Sequence, residues 1–374
     1  FISENEQRFK TLTCILGIAL TYVDKSELSE NPRQNILKAV AILFRFLEGR
    51  GLEMQFKPHS SLKNIHAFRS NIIPSLIMQQ ETTMERCDFS NSQIRGLTLC
   101  STVALSDCYF NAAKIEFLHV LEAERTECQS LNRIVKLHKL QSYATKYPSV
   151  DLRDTQITEC IFDGAEFTYN QWQGVDAKNV SFRYAFLKKS VFCWVELNRA
   201  DFSYLNLTQT TETEPSANFK LITSKVLHSS FDSADLRGAE FMGVEIQDST
   251  FRNAKLAHSK WITVEVEHGK REYAKTSRIQ HRGDMTINQK YTRESKHITN
   301  LLRVDFTNAD LSFAKFDSRI VFVDCIMKGA KLDGVSMVDF DLTKPNIIQM
   351  LSEADLHNVN WNGAEKFKSR FEGL

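Results

Sequence analysis

A period of five residues dominates the central part of this chain. From Val150 the sequence divides without a gap into twelve pentapeptides, which read VDLRD, TQITE, CIFDG, AEFTY, NQWQG, VDAKN, VSFRY, AFLKK, SVFCW, VELNR, ADFSY and LNLTQ. Eleven of the twelve third places hold a large apolar residue, whereas the first places are mostly small or medium and the other places mostly polar. The pattern predicts a repeated unit of five residues, two of which face a core.

This period excludes the two common regular structures. An α-helix repeats every 3.6 residues or so and a strand about every 2 residues, so neither keeps the third place on one face over twelve repeats. A short strand that turns a corner every fifth residue does, because the first and third residues of each side then point inward. We therefore expect a β-solenoid whose backbone hydrogen bonds run between coils.

Three tripeptides connect this pattern to a known family. Residues Ala200–Phe202 read ADF, and Ala234–Leu236 and Ala309–Leu311 both read ADL, which is similar to the A(D/N)LxX signature of pentapeptide-repeat proteins. The chain resembles that family over roughly two thirds of its length. The resemblance implies a mainly β fold, a right-handed quadrilateral β-helix in which four pentapeptides make one coil.

Further runs of the repeat lie on both sides of the central one. One begins at Ser224 and another at Val304, and a weaker run begins at Cys87. The run from Val304 slips by one residue at Arg319. Such a slip predicts a bulge at a corner of the coil.

The sequence predicts three regions. Residues 1–80 have helical periodicity and are expected to form an α-helical region that caps the first coil, with a partner or dimer surface as the alternative. In this region Asn31 and Pro32 suit the start of a helix, and its apolar stripe comprises Ile36, Val40, Leu43 and Leu47. Residues 81–366 are assigned to the β-helix and residues 367–374 to a C-terminal tail.

Two interruptions of the repeat are basic. Residues 126–149 predict one basic amphipathic helix that ends near Pro148. Residues 267–303 hold nine basic and four acidic residues, a formal charge of +5. Insertions in solenoids often carry binding, so this insert is a candidate for nucleic acid or an anionic surface, and a solvated loop is the alternative. Its candidate binding residues include Arg271, Arg278 and Arg282.

One surface cluster follows from the repeat register. Tyr184 and Tyr204 occupy the same corner of adjacent coils, close enough to stack. Phe186 begins the next side of the coil, and Lys188, Lys189 and Trp194 follow it. Exposed aromatic residues beside cations are enriched at protein interfaces, so we predict partner binding here. The alternatives are that Tyr204 only shields Tyr184, or that the 126–149 helix packs over both.

The sequence holds no catalytic or cofactor motif. GxSxG, HExxH and GxxxxGK[ST] are absent, and the ten histidines are dispersed. The eight cysteines form no CxxC pair and are expected to be mostly buried, reduced thiols. We expect neither an enzyme nor a cofactor or metal site.

These features favour a noncatalytic scaffold that presents loops and an aromatic and basic surface to a protein partner. The family resemblance suggests two alternatives, a DNA-mimic-like protein that binds or protects DNA gyrase and a targeting module of a secreted bacterial effector. Gyrase-binding members carry a strongly acidic surface, whereas residues 151–209 hold eight acidic and six basic residues. The whole chain is equally balanced, with 47 basic and 46 acidic residues.

The longest apolar stretch, Leu12–Val23, is too short to span a bilayer, which takes about 20 residues of helix. The sequence therefore contains no predicted transmembrane segment. A bacterial cytoplasmic location is the first expectation. A membrane anchor or secretion signal upstream of Phe1 is the alternative.

Overall fold

The chain folds as a four-sided parallel β-helix. The structure is a computed structural model that describes residues 53–56, 61–64, 75–79, 81–100, 102–120, 135–207, 219–265 and 296–371. Within these residues almost all strands pair in parallel with the strand one coil earlier and the strand one coil later. The quadrilateral β-helix expected from the sequence is confirmed.

Two continuous sheets form most of the wall. The first contains fourteen strands and covers side two; three short strands and the first halves of its two eight-residue strands extend it onto side one. On side two the strands are β1 (Glu53–Phe56), β3 (Ser75–Met78), β6 (Leu97–Leu99), β9 (Leu118–Val120), β11 (Lys146–Arg153), β13 (Glu166–Gln173), β16 (Ser190–Cys193), β18 (Phe219–Ile222), β20 (Glu240–Met242), β22 (Lys260–Ile262) and β26 (Lys315–Phe316). Side one carries β5 (Gln93–Ile94), β8 (Lys114–Ile115) and β15 (Phe186–Leu187).

The second sheet contains eleven strands and forms side three. Its members are β2 (Ser61–Lys63), β4 (Thr83–Glu85), β7 (Ala104–Ser106), β10 (Val135–His138), β12 (Thr155–Thr158), β14 (Asp176–Lys178), β17 (Glu196–Asn198), β19 (Lys225–Leu227), β21 (Glu245–Gln247), β25 (Asn300–Leu302) and β27 (Val321–Val323). The remaining pair, β23 (Val264–Glu265) and β24 (Lys296–His297), is antiparallel and lies where the basic insert leaves the coil.

Single parallel bridges complete the wall. On side four Ser181 pairs with Asp201, and on side one Phe186 pairs with Asn206. The chain passes through sides one, two, three and four in that order. Each corner takes the number of the side that follows it in the chain. Tyr184 and Tyr204 therefore lie at the first corner, between sides four and one.

The register of the strands confirms the sequence period. Val150 pairs with Asn170 and Asn170 with Ser190, so one coil holds four pentapeptides. Leu301 pairs with Phe322, which places one extra residue in that coil. The bulge predicted from the slip at Arg319 is confirmed.

Stacked aromatic rings fill the interior. Phe182 stacks on Phe202 with ring centroids 4.8 Å apart, Phe202 on Phe231 at 4.8 Å, and Phe231 on Phe251 at 4.7 Å. All of these rings are fully buried. Because successive coils lie about 4.8 Å apart, residues at the same place of the repeat meet at stacking distance.

The first places of the repeat also accept small polar residues. The buried hydroxyls of Ser224, Ser229 and Ser249 each donate a hydrogen bond to the carbonyl two residues earlier, at distances of 2.8 to 2.9 Å. The thiol of Cys160 makes the same contact with the Thr158 carbonyl at 3.4 Å. A buried polar group is tolerated where a partner satisfies it, so these places need only be small.

The helix predicted for residues 126–149 is wrong over residues 135–149, which form β10, the start of β11 and, between them, two corners and the Gln141 bridge. Leu137 and Leu140 are buried three residues apart, as on a helical face. In a pentapeptide repeat, a third place and the next first place are also separated by three residues. The two patterns therefore coincide over a short segment. Residues 126–134 lie outside the described residues.

The N-terminal boundary also changes. Strands β1 to β3 lie within residues 1–80, so the predicted helical region does not extend to residue 80. Leu62 pairs with Met84, two residues more than the usual coil, and this irregular spacing hides the repeat. The predicted helices before residue 50 lie outside the described residues.

Two boundaries near the C-terminus shift as well. Strands β24 and β25 lie within the predicted 267–303 insert, so the coil resumes earlier than Val304. Helix α1 (Pro345–Ser352) interrupts the last coils, and helix α2 (Glu365–Lys368) crosses the predicted start of the 367–374 tail. The boundary predicted at residue 367 therefore falls inside helix α2. Three buried residues of α1 pack on the core, namely Ile347, Met350 and Leu351.

Candidate functional site

A pair of exposed tyrosines stands at the first corner. The rings of Tyr184 and Tyr204 stack with centroids 4.9 Å apart and planes 11° apart. The two residues remain 54% and 47% exposed. Tyr204 therefore does not bury Tyr184, which argues against a purely shielding role.

The tyrosines are unusual residues for this corner. The equivalent places in neighbouring coils hold small residues, which are Ala112, Ala144, Gly164, Ser233, Asn253 and Asn308. Tyr184 and Tyr204 have φ of 58° and 59°, a left-handed conformation that costs a bulky residue roughly 1–2 kcal/mol. Stacking of an aromatic pair returns about 0.5–1.5 kcal/mol. The pair is thus not explained by stability alone.

Side one continues the aromatic surface. Strand β15 directs the half-buried Phe186 outward, and Lys188 follows on the same side. Lys189 lies at the second corner, where its Nζ atom is 5.0 Å from the centroid of the Tyr169 ring. The structure therefore brings five of the six predicted cluster residues to one side and its two corners.

Tyr169 belongs to this surface but is not among the predicted site residues. It is exposed and lies one coil before Lys189. The sequence feature that could have identified Tyr169 is its position at the fifth place of the AEFTY repeat, the same place that Tyr184 occupies in VSFRY. A register comparison across all fifth places would have identified it.

Trp194 does not join the surface on side one. It lies at the third corner, beyond side two, and packs against an outer cluster formed by Val191, Cys193 and Ile222 together with Met242. Side two therefore separates Trp194 from Tyr184. Its contacts are those of a packing residue.

The carboxylates near the tyrosines already have partners within the fold. Asp163 accepts hydrogen bonds from the Ser181 hydroxyl and the Arg183 amide. Glu166 pairs with Lys146 at 3.3 Å. In the described part of the chain, Lys188 and Lys189 have no such carboxylate partner, so the uncompensated charge here is positive.

No helix covers the tyrosines from residues 135–149. These residues form strands of the preceding coils, so this part of the proposed packing alternative is wrong. The candidate residues Arg271, Arg278 and Arg282 lie outside the described residues. Their assignment stays a prediction.

The base of the basic insert is visible at the third corner. Strands β23 and β24 pair antiparallel, and the Thr299 hydroxyl donates to the Ile262 carbonyl at 2.7 Å. Gly243 packs directly against this base of the insert. A Cβ atom placed on Gly243 would be only 2.7 Å from the Cβ of His297. The insert therefore leaves from a packed base.

The described residues hold no group of three or more His, Cys, Asp or Glu side chains that could bind a metal ion. Burial raises the pKa of the Cys160 thiol to about 12 and those of Cys193 and Cys325 to about 11. These thiols are therefore protonated at neutral pH and are poor nucleophiles. Over the described ranges, no helix has the length and apolar character needed to cross a membrane.

A comparison with protein families agrees with the repeat pattern. Residues 178–211 match the family model for pentapeptide repeats, with eight copies. The matched residues include Tyr184 and Tyr204. A comparison with curated proteins gives no match.

Two solved structures match the chain at low similarity. HetL, a pentapeptide repeat protein involved in heterocyst differentiation regulation from the cyanobacterium Nostoc, is 14% identical, with 78% of this chain and 95% of that chain covered and a TM-score of 0.33. Full-length QnrB1, a plasmid-mediated fluoroquinolone resistance protein, is 12% identical, with coverage of 54% and 85% and a TM-score of 0.20. At such TM-scores these likenesses carry no argument about function.

Proposed function

We propose, from the premise that this is a pentapeptide-repeat protein, that it is a noncatalytic scaffold that binds a protein partner through side one. The observation that carries this proposal is the Tyr184–Tyr204 pair. Two large rings are kept exposed in a backbone conformation for which neighbouring coils use small residues. Backbone strain at an exposed position is typical of functional sites.

The chemistry of side one suits a protein interface. Tyrosine and arginine are enriched at interface centres because each combines a large apolar surface with a polar group. Tyr169, Tyr184 and Tyr204 are all exposed around one flat strand face. The surface needs no rearrangement before binding, since its backbone is fixed by hydrogen bonds between coils.

Site-specific photo-crosslinking tests the proposal. A benzoylphenylalanine residue would replace Tyr184 or Phe186 in the full chain, expressed in the cells from which the gene comes. We expect both variants to yield the same crosslinked protein, identified by mass spectrometry. Tyr109 provides a matched control, because it is a 37% exposed tyrosine on side four.

The crosslink must also depend on the tyrosine pair. In the Phe186 variant, an added Tyr184→Asn and Tyr204→Asn change should reduce the yield at least severalfold while the fold is retained. Equal products from the Tyr109 position, or no product from either side-one position, would contradict the proposal.

A further inference from the structure

Two polar atoms are buried without a partner on one strand of side two. Asn170 and Trp172 hold the first and third places of the NQWQG repeat on β13, and each residue is only 1% exposed. Among the described residues, no group makes a hydrogen bond with the Asn170 Oδ1 atom or with the Trp172 Nε1 atom. The first atom is an acceptor and the second a donor. Buried polar groups normally have a partner, because leaving one unpaired is costly.

The same two places of another coil show how close such groups lie. Ser259 and Trp261 hold the first and third places of the SKWIT repeat, and both are fully buried. There the indole Nε1 atom donates to the Ser259 hydroxyl at 2.9 Å. A side chain at the first place of side two is therefore within reach of an indole at the third place. Asn170 and Trp172 have the same relation but do not bond directly.

The Asn170 amide is oriented by the next coil. Its Nδ2 atom donates to the Ser190 hydroxyl at 2.9 Å. That hydroxyl donates in turn to the Lys188 carbonyl at 3.5 Å, so it is the acceptor in its contact with Asn170. This order leaves the amide oxygen as the unpaired atom. Reversing the amide would leave the nitrogen unpaired instead.

Trp172 also lines a small cavity inside the solenoid. The cavity has a volume of about 10 Å³, and most of the side chains around it are apolar, among them Leu118, Leu152 and Phe167. A cavity of this size is large enough for a water molecule. The residues that line it include no charged side chain, so it does not suit an ion.

We propose that a single water molecule binds inside the solenoid beside Trp172, where it accepts a hydrogen bond from Nε1 and donates one to Asn170 Oδ1. The ligand must accept from one atom and donate to the other, and water does both. Buried waters are commonly held by two or more polar groups that the protein itself leaves unpaired. This inference does not depend on the proposed function.

The bound water completes a chain of hydrogen bonds across two coils. The chain runs from the Trp172 indole through the water to Asn170, then to Ser190 and the Lys188 carbonyl. Its last members lie directly behind the second corner. The water is therefore part of the interior that supports the edge of side one.

Nuclear magnetic resonance of the isotope-labelled full chain tests the site. The chain has four tryptophans, and Trp172→Phe and Trp261→Phe variants assign two of the indole proton signals. We expect the Trp172 indole proton to show a rotating-frame Overhauser cross-peak to water, with the sign of direct proximity and not of proton exchange. Trp261 is the matched control, since its indole is equally buried but bonded to Ser259, and it should show no such cross-peak.

An Asn170→Ser variant copies the arrangement around Trp261. The new hydroxyl should accept the Trp172 indole directly and displace the water, so the cross-peak should be lost. Serine already fills this place in the next coil as Ser190, and the variant is therefore expected to fold. A crystal structure of the unmodified chain should show an ordered water within about 3.2 Å of both Asn170 Oδ1 and Trp172 Nε1.

The inference is overturned if Trp172 shows no cross-peak to water, if Trp261 shows an equal one, or if the cross-peak is unchanged in Asn170→Ser. A crystal structure in which the Trp172 indole bonds directly to the Asn170 amide would also overturn it. None of these results affects the crosslink from Tyr184, which tests the proposed function separately.

Discussion

Tyr184 and Tyr204 keep aromatic rings in a backbone conformation that is costly for the fold, in keeping with the binding role proposed for them. Their left-handed backbones favour glycine or asparagine, yet both hold aromatic rings that remain half exposed. The fifth place of each repeat and the coil length together predicted that the rings would meet. The sequence alone did not show their exposure, since that depends on the small neighbours at the same corner.

Replacing both tyrosines by asparagine should leave the free energy of unfolding unchanged within about 1 kcal/mol or raise it. The variant loses about 0.5–1.5 kcal/mol of stacking but relieves two strained backbones. Urea unfolding followed by circular dichroism measures the change. A loss well above 2 kcal/mol would show that the pair is structural.

Gly243 is a second residue whose environment dictates its identity. A Gly243→Ala variant should lose about 2–4 kcal/mol, because its Cβ would clash with His297 in addition to the left-handed strain at φ of 59°.

Gly238 provides the control for Gly243, since it has φ of 71° and no atom within 4 Å of an added Cβ. Gly238→Ala should show the backbone cost alone. Equal losses in the two variants, measured by thermal unfolding, would contradict the packed base of the insert.

At the scale of elements, the sequence predicted the coils best where the period of five is strict. It failed at β10 and β11, since buried residues three apart fit both a helix and two consecutive sides of a coil. It also missed β2, because its coil contains two extra residues. Helix α1 interrupts the repeat near the C-terminus, where no period could place it.

The column of interior rings makes a clear prediction at this scale. Phe202 lies between Phe182 and Phe231, each 4.8 Å away. Phe202→Ala should cost about 3–5 kcal/mol, because it leaves a cavity between two coils that cannot move together. Phe186→Ala, which removes the same ring from the outside of the adjacent coil, should change the free energy of unfolding by less than about 1 kcal/mol. Chemical unfolding of both variants gives the comparison, and similar losses would contradict the assigned core.

At the scale of the whole molecule, an interruption of the repeat must not separate the coils on either side of it. Asp317 helps to join them, since its carboxylate accepts the Thr263 amide at 3.3 Å and binds the Arg319 side chain at 2.7 Å. The hydrogen bond from Arg319 lowers the pKa of Asp317 to about 2. The ionised carboxylate therefore stabilises the fold above about pH 4, and this contribution is lost as the pH falls through about 2.

Arg319→Gln should accordingly be less stable than the unmodified chain at neutral pH, and the difference should narrow between about pH 4 and about pH 2. Urea unfolding at a series of pH values tests this. Lys328→Gln, which removes an exposed positive charge on side four, is the control, and we expect no such narrowing for it. A difference for Arg319→Gln that stays constant with pH would contradict the role of the carboxylate.

The regular stacking of the coils also acts as a ruler. Groups displayed on one side are separated by whole numbers of coil steps, each about 4.8 Å, and no loop movement can adjust these intervals. A ligand whose two contact groups match the distance between two corners would miss one of them by a full coil step if one coil were added or removed. Selectivity on such a surface would then depend on the number of coils between the two contact groups, even where the contact residues themselves are unchanged.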